Sequence, residues 1–302
     1  MELHIPRLSM AQKKSLKKHL FVYGMLLIGI LHFCVFYLAV NIDSFFMAFK
    51  DQNTNQWSIV NFQMFFNDIL RGKESEILSN MGNTLIYFAV NLVMIPLAFI
   101  LSYFMYKKIL GYRLFRFLYM VPMIVSAVVL VSIYKNMFTS GGPVAKLYEW
   151  FTGKQAPFFI YDERYATFTI VLYTIWTGLG MNIILFSGAM SRIPSSIIEY
   201  ASLDGVKPVS EMFRIVLPIV APTFTTLMLL SCVGVFNASG PILLFTDGMY
   251  GTSTISYWMY DRVIVNNQYN YAAALGLMLT VISLPIFFAV NFLNKRVPEV
   301  EF

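Results

Sequence analysis

Six long apolar runs constrain this chain more than any other feature. They lie at about 20–40, 81–106, 117–138, 167–190, 219–238 and 271–293. An α-helix rises about 1.5 Å per residue, so about 20 apolar residues cover a hydrocarbon core of roughly 30 Å. Only 13% of the residues are charged, whereas soluble domains usually carry about 25%. The sequence therefore predicts an all-α integral membrane protein with six transmembrane helices.

The basic residues predict the orientation of these helices. With the N-terminus inside, 14 of the 22 lysines and arginines fall in cytosolic segments and 8 in external ones. Short cytosolic segments carry an excess of Lys and Arg, so both termini are predicted to be cytosolic. The basic N-terminus then serves topology and lipid headgroups rather than nucleic acid. The predicted order is a cytosolic N-terminus at 1–19, a first transmembrane helix at 20–40, an extracellular loop at 41–80, a core transmembrane domain at 81–293 with a cytosolic loop at 191–218, and a cytosolic tail at 294–302.

The same runs argue against several classes of protein. No charged residue lies deep in any predicted span, whereas ion-coupled carriers usually need buried carboxylates or histidines. The sequence contains no G-x-x-x-x-G-K-[ST], H-E-x-x-H or G-x-S-x-G motif. Cys34 and Cys232 both lie inside apolar runs and form neither a disulfide framework nor a metal spacing. We therefore predict no catalytic residue and no metal site, and any energy for transport would come from another protein.

The loop at 191–218 is amphipathic rather than membrane-spanning. Ser196 and Glu199 fit an S-x-x-E capping box, which predicts a short helix over 197–203. Gly205 can adopt a positive φ and so form an elbow, and Pro208 suits the first turn of a second helix. An apolar stripe at helical spacing follows, formed by Val209, Met212, Phe213 and Val216. Two short helices joined by an elbow suit docking in the groove of a partner.

At this loop the sequence resembles a known family. Glu199-x-Ala201-x-x-x-Gly205, then nine residues, then Ile215-x-Leu217-Pro218 resembles the EAA motif of binding-protein-dependent ABC importer permeases. Three further features resemble the motif as it occurs in the carbohydrate branch of the family: Asp204, Phe213-Arg214 and Pro222. This branch includes maltose, glycerol-phosphate and multiple-sugar permeases. Tyr200 replaces the usual second alanine of the motif.

The resemblance extends over nearly the whole chain. Asn83-Thr84-Leu85 is similar to the NTL opening of the second core helix, and Arg113 to Pro122 resembles the R-x-x-x-x-P entry to the third. Tyr271 to Gly276 resembles the YAAA start of the last span. In the external loop from Thr246 to Thr254 the family often has T-G-G-G-P, and three residues depart from that pattern here: Asp247, Met249 and Tyr250.

The resemblance implies a type I importer permease with the MetI-like fold in a bacterial plasma membrane. It implies no enzymatic activity and no cofactor in this chain, with ATP and Mg²⁺ bound by the partner. The implied partners are two ATP-binding subunits, a second homologous permease in a heterodimer, an extracellular or periplasmic solute-binding protein and the bilayer, with no nucleic acid. The implied contacts with the ATPase are Glu199, Ala201, Asp204, Gly205, Phe213, Ile215, Leu217 and Pro218.

The family also implies where a sugar would bind. Gly178 and Ser231 match positions that line the pocket of the maltose permease, although Val235 and Ala238 replace its asparagines. A sugar needs hydrogen bonds to its hydroxyls and flat apolar surfaces for its rings. Asn182, Asn237 and Trp176 can supply these and are therefore further candidates. Helix packing is the alternative role for each of them. We expect uptake of an oligosaccharide or related carbohydrate. The alternatives are a non-sugar solute such as glycerol-phosphate or polyamine, and, from another class, an ion-coupled carrier or membrane enzyme.

Overall fold

The computed structural model describes residues 10–72 and 75–294, and in these ranges it is built from helices. Residues 1–9 of the predicted N-terminal segment and 295–302 of the predicted tail lie outside the described residues. The only β-structure within the described ranges is an isolated bridge between Lys50 and Trp57. The prediction of an all-α chain is therefore confirmed for these residues. The helices are α1 (Met10–Phe33), α2 (Val40–Ala48), α3 (Val60–Leu70), α4 (Glu76–Tyr106), α5 (Tyr112–Ile124), α6 (Ala127–Phe138), α7 (Pro143–Thr152), α8 (Ala166–Met190), α9 (Ser195–Leu203), α10 (Pro208–Glu211), α11 (Leu217–Val233), α12 (Ile242–Phe245), α13 (Ile255–Ile264) and α14 (Tyr269–Asn294).

Five helical stretches among the described residues are long and apolar enough to cross a membrane, and a bent pair brings the number to six if it counts as one span. The first stretch is helical throughout because a π-helical segment, Cys34–Ala39, joins α1 to α2. It is longer than the predicted 20–40. The five stretches are Lys18–Ala48, Glu76–Tyr106, Ala166–Met190, Pro208–Val233 and Tyr269–Phe292.

The predicted continuous span at 117–138 is wrong. The helix α5 ends at Ile124, and the next helical segment, Ala127–Thr152, leaves at an angle of 116°. Val125 has extended backbone angles, with φ −86° and ψ 141°. Pro122 sits in the last turn of α5, where it supplies no N–H to the helix and so weakens the hydrogen-bond ladder before the bend. The apolar run therefore forms a broken span or a re-entrant segment.

The predicted span at 219–238 is also wrong at both of its ends. Helical structure begins at Pro208, since α10 continues through a π-helical segment, Met212–Val216, into α11. At the other end α11 stops at Val233, and a short 3₁₀ turn, Val235–Asn237, follows. Apolar composition extends past the break, so hydropathy alone does not locate it.

The chain divides into two compact units. One contains the described residues up to Gln63 together with Tyr269–Leu277. In this unit Asn61 Nδ2 donates to the carbonyl oxygens of Ala48 and Lys50, at 3.0 and 2.9 Å. Asn270 Nδ2 also donates to Lys50 O, at 2.9 Å. These amide hydrogen bonds satisfy carbonyls at the last residue of α2 and just beyond it.

The other unit contains Met64–Gln268 and the described residues from Met278 onward. Its core has two clusters of buried side chains. The first lies where α4 and α8 pack beside the elbow between α8 and α11, and its largest buried side chains include Phe99, Tyr103, Phe186 and Met190. The second lies toward the other end of α4, and its buried aromatic side chains are Tyr87, Tyr134, Tyr173 and Phe245. Lipid tails are as apolar as these residues, so close packing rather than exclusion of water holds membrane-embedded clusters together.

Candidate functional site

The elbow between α8 and α11, residues 195–211, is the first part of the candidate site. Its first helix, α9, begins at Ser195 and not at the predicted 197. The N-cap is Pro194, with φ −57° and ψ 131°, and no side chain caps the helix. The predicted capping box between Ser196 and Glu199 is therefore wrong. The reason is that the helix starts two residues earlier than the box requires, so Ser196 lies inside the first turn and not at the N-cap.

The predicted turn at Gly205 is present. Gly205 has φ +71°, the left-handed region that glycine adopts without steric cost. Its N–H donates to Ser202 O at 3.1 Å, and the Val206 N–H donates to Ala201 O at 3.0 Å. This pair of hydrogen bonds is the Schellman motif that ends a helix. The chain therefore turns sharply at Gly205 before Pro208 starts α10.

The predicted apolar stripe is only half correct. Met212 and Val216 are buried at 4% and 0% exposure, but Val209 and Phe213 are exposed. The π-helical segment Met212–Val216 has a wider turn than an α-helix, so α-helical spacing assigns its faces wrongly.

Glu211, a charged residue, takes the buried position instead, with 3% of its side chain exposed. Lys107 Nζ lies 3.0 Å from both Glu211 carboxylate oxygens. Lys107 follows the last turn of α4, and Tyr103 Oη in that turn donates to Pro208 O at 2.9 Å. Two side chains at the end of α4 thus hold α10. Removing one partner of a buried pair costs about 3–5 kcal/mol, and the partial exposure of Lys107, 31%, places this pair toward the lower value.

The elbow leaves a set of apolar side chains uncovered. Tyr200, Leu203 and Val209 are 69%, 82% and 63% exposed. Among the predicted contact residues, Glu199, Asp204, Phe213 and Pro218 are exposed, Ile215 and Leu217 are half-buried, and Ala201 is buried at 5%. We call Tyr200, Leu203 and Val209 the elbow face. Large exposed apolar side chains next to charged ones are typical of a protein interface.

The candidates for a solute pathway on α8 have mixed surroundings. Gly178 packs closely on α4, because a Cβ at this position would lie 3.1 Å from Met94 Cε. Trp176 is half-buried beside the second core cluster, with its ring 6.2 Å from that of Tyr173. Asn182 is half-buried about one turn beyond Gly178. The geometry of Gly178 thus gives it a packing role, whether or not it also lines a pathway.

The other two candidates flank the break after α11. Ser231 lies in the last turn of α11, and its Oγ is buried without a hydrogen-bond partner among the described residues. Asn237 is exposed in the 3₁₀ turn that follows. Irregular backbone at membrane depth occurs where it is buried in protein or lines a wet cavity. The Ser231 hydroxyl therefore lies beside such a break, buried and without a partner among the described residues.

The loop at 246–254 was identified in the sequence by its departures from T-G-G-G-P. Four of its residues have positive φ: +52° at Asp247, +73° at Gly248, +56° at Tyr250 and +65° at Gly251. Asp247 and Tyr250 thus adopt the left-handed conformation without being glycine, which costs about 1–2 kcal/mol each. We call this segment the threonine loop because its three threonines, Thr246, Thr252 and Thr254, are buried.

The opening turns of α4 hold the threonine loop. Asn83 Nδ2 donates to the carbonyl oxygens of Gly251 and Ser253, each at 2.7 Å. Thr84 Oγ1 accepts from the Ile255 N–H at 2.9 Å. The Asn-Thr pair of the NTL motif therefore satisfies backbone groups of a loop about 170 residues away in the chain.

A charged cluster at the start of α4 holds α13 in the same way. Arg262 lies 2.7 Å from the Glu76 carboxylate, and the Trp258 indole N–H donates to that carboxylate at 2.9 Å. Arg262 also stacks over the Trp258 ring at 4.8 Å. On the adjacent face of α13, burial together with a hydrogen bond to the Asp247 carboxylate raises the pKa of Tyr257 to about 12.

The structure combines three features that are typical of a membrane transport subunit. They are membrane-length helices, an uncovered apolar elbow and a broken helix beside an unpaired hydroxyl. A family model described as binding-protein-dependent transport system inner membrane component matches residues 94–298, more than half of the chain. The chain belongs to this family. It is therefore a multi-pass protein of the bacterial plasma membrane that works with a solute-binding protein.

Similar proteins cover most of the chain. The arabinooligosaccharides transport system permease protein AraP of Bacillus subtilis (strain 168) is 24% identical over 85% of this chain and 83% of AraP. Protein LplB of the same strain is 28% identical over 93% of this chain and 91% of LplB. The sn-glycerol-3-phosphate transport system permease protein UgpA of Yersinia pseudotuberculosis serotype I is 28% identical over 62% of this chain and 65% of UgpA.

A solved structure shows the fold. It is described as the crystal structure of a bacterial ABC transporter involved in the import of the acidic polysaccharide alginate. One of its chains superposes on this protein with a TM-score of 0.81 and 21% identity, over 95% of this chain and 99% of that chain. The predicted importer permease fold is confirmed by this likeness.

Proposed function

We propose that this chain is the membrane-spanning subunit of an ATP-driven importer for an oligosaccharide delivered by a solute-binding protein. The observation that carries the proposal is the family match over residues 94–298. The saccharide class rests on AraP, which is similar over 85% of this chain and whose name specifies arabinooligosaccharides.

The proposed energy source is a pair of ATPase subunits that bind ATP and Mg²⁺, and this chain itself binds no cofactor. The elbow face is the site at which one of them docks. The support is its geometry: large apolar side chains are exposed on a rigid turn whose second helix is fastened to α4. Exposed Glu199 and Asp204 flank that face and can pair with basic residues of an ATPase.

The proposed pathway for the saccharide runs beside the break that follows α11. Ser231 offers an unpaired hydroxyl there, Asn237 offers an exposed amide, and Asn182 and Trp176 are partly accessible on α8. Hydroxyls and amides bind sugar hydroxyls, and an aromatic ring covers the flat face of a sugar ring. A second, homologous permease completes the pathway as a heterodimer, and in the proposed orientation both termini are cytosolic and the threonine loop faces outward.

The experiment is uptake by proteoliposomes that contain this chain, its second permease and the ATPase subunits, with the solute-binding protein outside and ATP inside. Labelled oligosaccharides, sn-glycerol 3-phosphate and a polyamine are compared. We expect ATP-dependent accumulation of an oligosaccharide and not of the other two solutes. Accumulation of sn-glycerol 3-phosphate or polyamine alone would contradict the saccharide assignment, and accumulation without ATP would contradict the proposed energy source.

A further inference from the structure

The helix α4 is fastened at both of its ends to the segment that runs from the elbow to α13. At its last turn Tyr103 and Lys107 hold α10. At its first turns Glu76, Asn83 and Thr84 hold α13 and the threonine loop. The two sets of contacts are about 20 residues apart along α4, which corresponds to roughly 30 Å of helix. They therefore lie near opposite faces of a membrane.

The covalent route between these two contact sets is interrupted. From α10 the chain continues through α11, but regular α-helix ends at Val233. A 3₁₀ turn and the extended residue Ala238 follow before α12 begins at Ile242. A segment without a continuous hydrogen-bond ladder deforms easily. A displacement of the elbow would therefore bend the chain after α11 and would not be transmitted along it to the threonine loop.

The route through α4 has no such interruption. The helix is continuous over 31 residues, and Pro96 does not break it. Its buried face includes Tyr87, Met94, Ala98 and Ser102, so it is packed on successive turns. Ser102 Oγ also donates to Ile183 O of α8, at 3.3 Å. A packed helix moves as one body, because its neighbours resist local deformation.

The contacts at both ends are suited to bear load. Glu211 is buried and both of its carboxylate oxygens accept hydrogen bonds from Lys107 Nζ, and charge-assisted hydrogen bonds are stronger than neutral ones. At the other end Asn83 binds two loop carbonyls at 2.7 Å, and buried Thr84 binds the backbone at the start of α13. Breaking either set leaves buried polar groups without partners, which costs about 1–3 kcal/mol per group.

We propose that α4 carries the displacement of the elbow across the membrane to the threonine loop, bypassing the break after α11. Lys107 and Glu211 are positioning residues at the elbow end, and Asn83 and Thr84 are positioning residues at the loop end. The inference rests on the proposed function, because the ATPase supplies the displacement. It assigns a role in coupling to residues that contact neither nucleotide nor solute.

The test uses the complete reconstituted importer with an environment-sensitive fluorophore on the threonine loop at Met249→Cys, a position that is 57% exposed. The native cysteines are replaced by Cys34→Ser and Cys232→Ala. The probe response to ATP is measured beside nucleotide binding and ATPase activity. We expect Glu211→Gln and Asn83→Ala each to reduce the probe response on the order of tenfold, within the usual range of coupling free energies, while ATP still binds.

Three comparisons separate coupling from misfolding. Lys108→Met changes the exposed lysine next to Lys107 and should leave the response intact, unlike Lys107→Met. The exchange Lys107→Glu with Glu211→Lys should restore part of the response that either single reversal loses. If both ends belong to one route, Glu211→Gln combined with Asn83→Ala should be no worse than either change alone.

Each outcome has a definite meaning. Full response in Glu211→Gln and Asn83→Ala would overturn the inference, and so would losses that multiply in the double variant. A wild-type complex that hydrolyses ATP while the loop probe stays silent would overturn it as well. A wild-type chain that assembles with no ATPase subunit would instead contradict the proposed function.

Discussion

Gly180 of α8 lies against the backbone of α5, and this contact yields a prediction with a calculable size. A Cβ at Gly180 of α8 would overlap the Tyr119 carbonyl oxygen of α5 and lie 3.0 Å from Met123 Sδ. A thioether can move aside, but a backbone carbonyl moves only with its helix. Overpacking of this kind costs about 1–3 kcal/mol. Gly180→Ala should therefore push α5 away from α8 and destabilise the protein.

The same helix offers a matched control. Gly188 is also helical and has nothing within 4 Å of its Cβ direction. Replacing glycine by alanine inside a helix gains about 1 kcal/mol at either site, so the difference between the two variants isolates the steric cost. In mixed micelles titrated with sodium dodecyl sulfate, Gly180→Ala should be less stable than Gly188→Ala by about 1–3 kcal/mol. Equal unfolding free energies for the two variants would refute the packing of α5 against α8.

Four further predictions follow from the site. Gly205→Ala places a Cβ at φ +71°, which costs about 1–2 kcal/mol. Binding of the ATPase subunit, measured by co-purification, should weaken. Wild-type affinity would contradict the proposed role of the elbow in ATPase binding. Thr84→Val removes the acceptor of the buried Ile255 N–H and should lower the unfolding free energy by about 1–3 kcal/mol. Thr84→Ser keeps the hydroxyl and should not lower it. Equal unfolding free energies for the two variants would contradict this. Ser231→Ala removes an unpaired buried hydroxyl and should leave the unfolding free energy within about 1 kcal/mol of wild type. It should nevertheless lower saccharide uptake. Unchanged uptake would show that Ser231 is not part of the pathway. The pKa of Tyr257 is raised from about 10 to about 12, so its contribution to stability is complete below pH 10 and is lost as the pH rises towards 12. The difference between tyrosinate titrations of the wild type and of Tyr257→Phe should show one group near pH 12. A group that titrates near pH 10 would contradict this.

Much of the fold could be predicted because length and apolarity decide whether a helix can cross a membrane. The runs at 81–106, 167–190 and 271–293 each lie within a helix of the structure. The two failures, at 117–138 and 219–238, have local causes that hydropathy does not register. In the first case the backbone becomes extended at Val125, just after Pro122. In the second, α11 ends beside Gly234 while apolar residues continue.

Within the elbow, the sequence predicted the parts that depend on local chemistry. The turn at Gly205 and the start of α10 at Pro208 are properties of single residues, and both are present. The capping box failed because Pro194 already occupies the N-cap position. The assignment of exposed and buried faces failed where the π-helical segment replaces α-helical spacing.

The contacts that join distant parts of the chain could not be predicted in this way. Lys107 and Glu211 are 104 residues apart, and nothing in either local pattern indicates their pairing. Lys135 is a second case. Its Nζ donates to Phe245 O, 110 residues along the chain, at 2.9 Å and so satisfies a carbonyl at the end of α12. The resemblance of Asn83-Thr84-Leu85 to a family motif did single out the two residues that hold the threonine loop.

In the proposed function, transport energy enters this chain at the elbow face, and site-specific cross-linking tests this most directly. A cysteine at Leu203, which is 82% exposed, is compared with one at Leu147 of α7, which is 54% exposed and lies on the external side in the proposed orientation. Both are placed in a chain without native cysteines and assembled with its ATPase subunits. We predict that Leu203→Cys forms a cross-link to an ATPase subunit and that Leu147→Cys does not. An ATPase cross-link at Leu147→Cys, or none at Leu203→Cys in an assembled complex that hydrolyses ATP, would contradict the account.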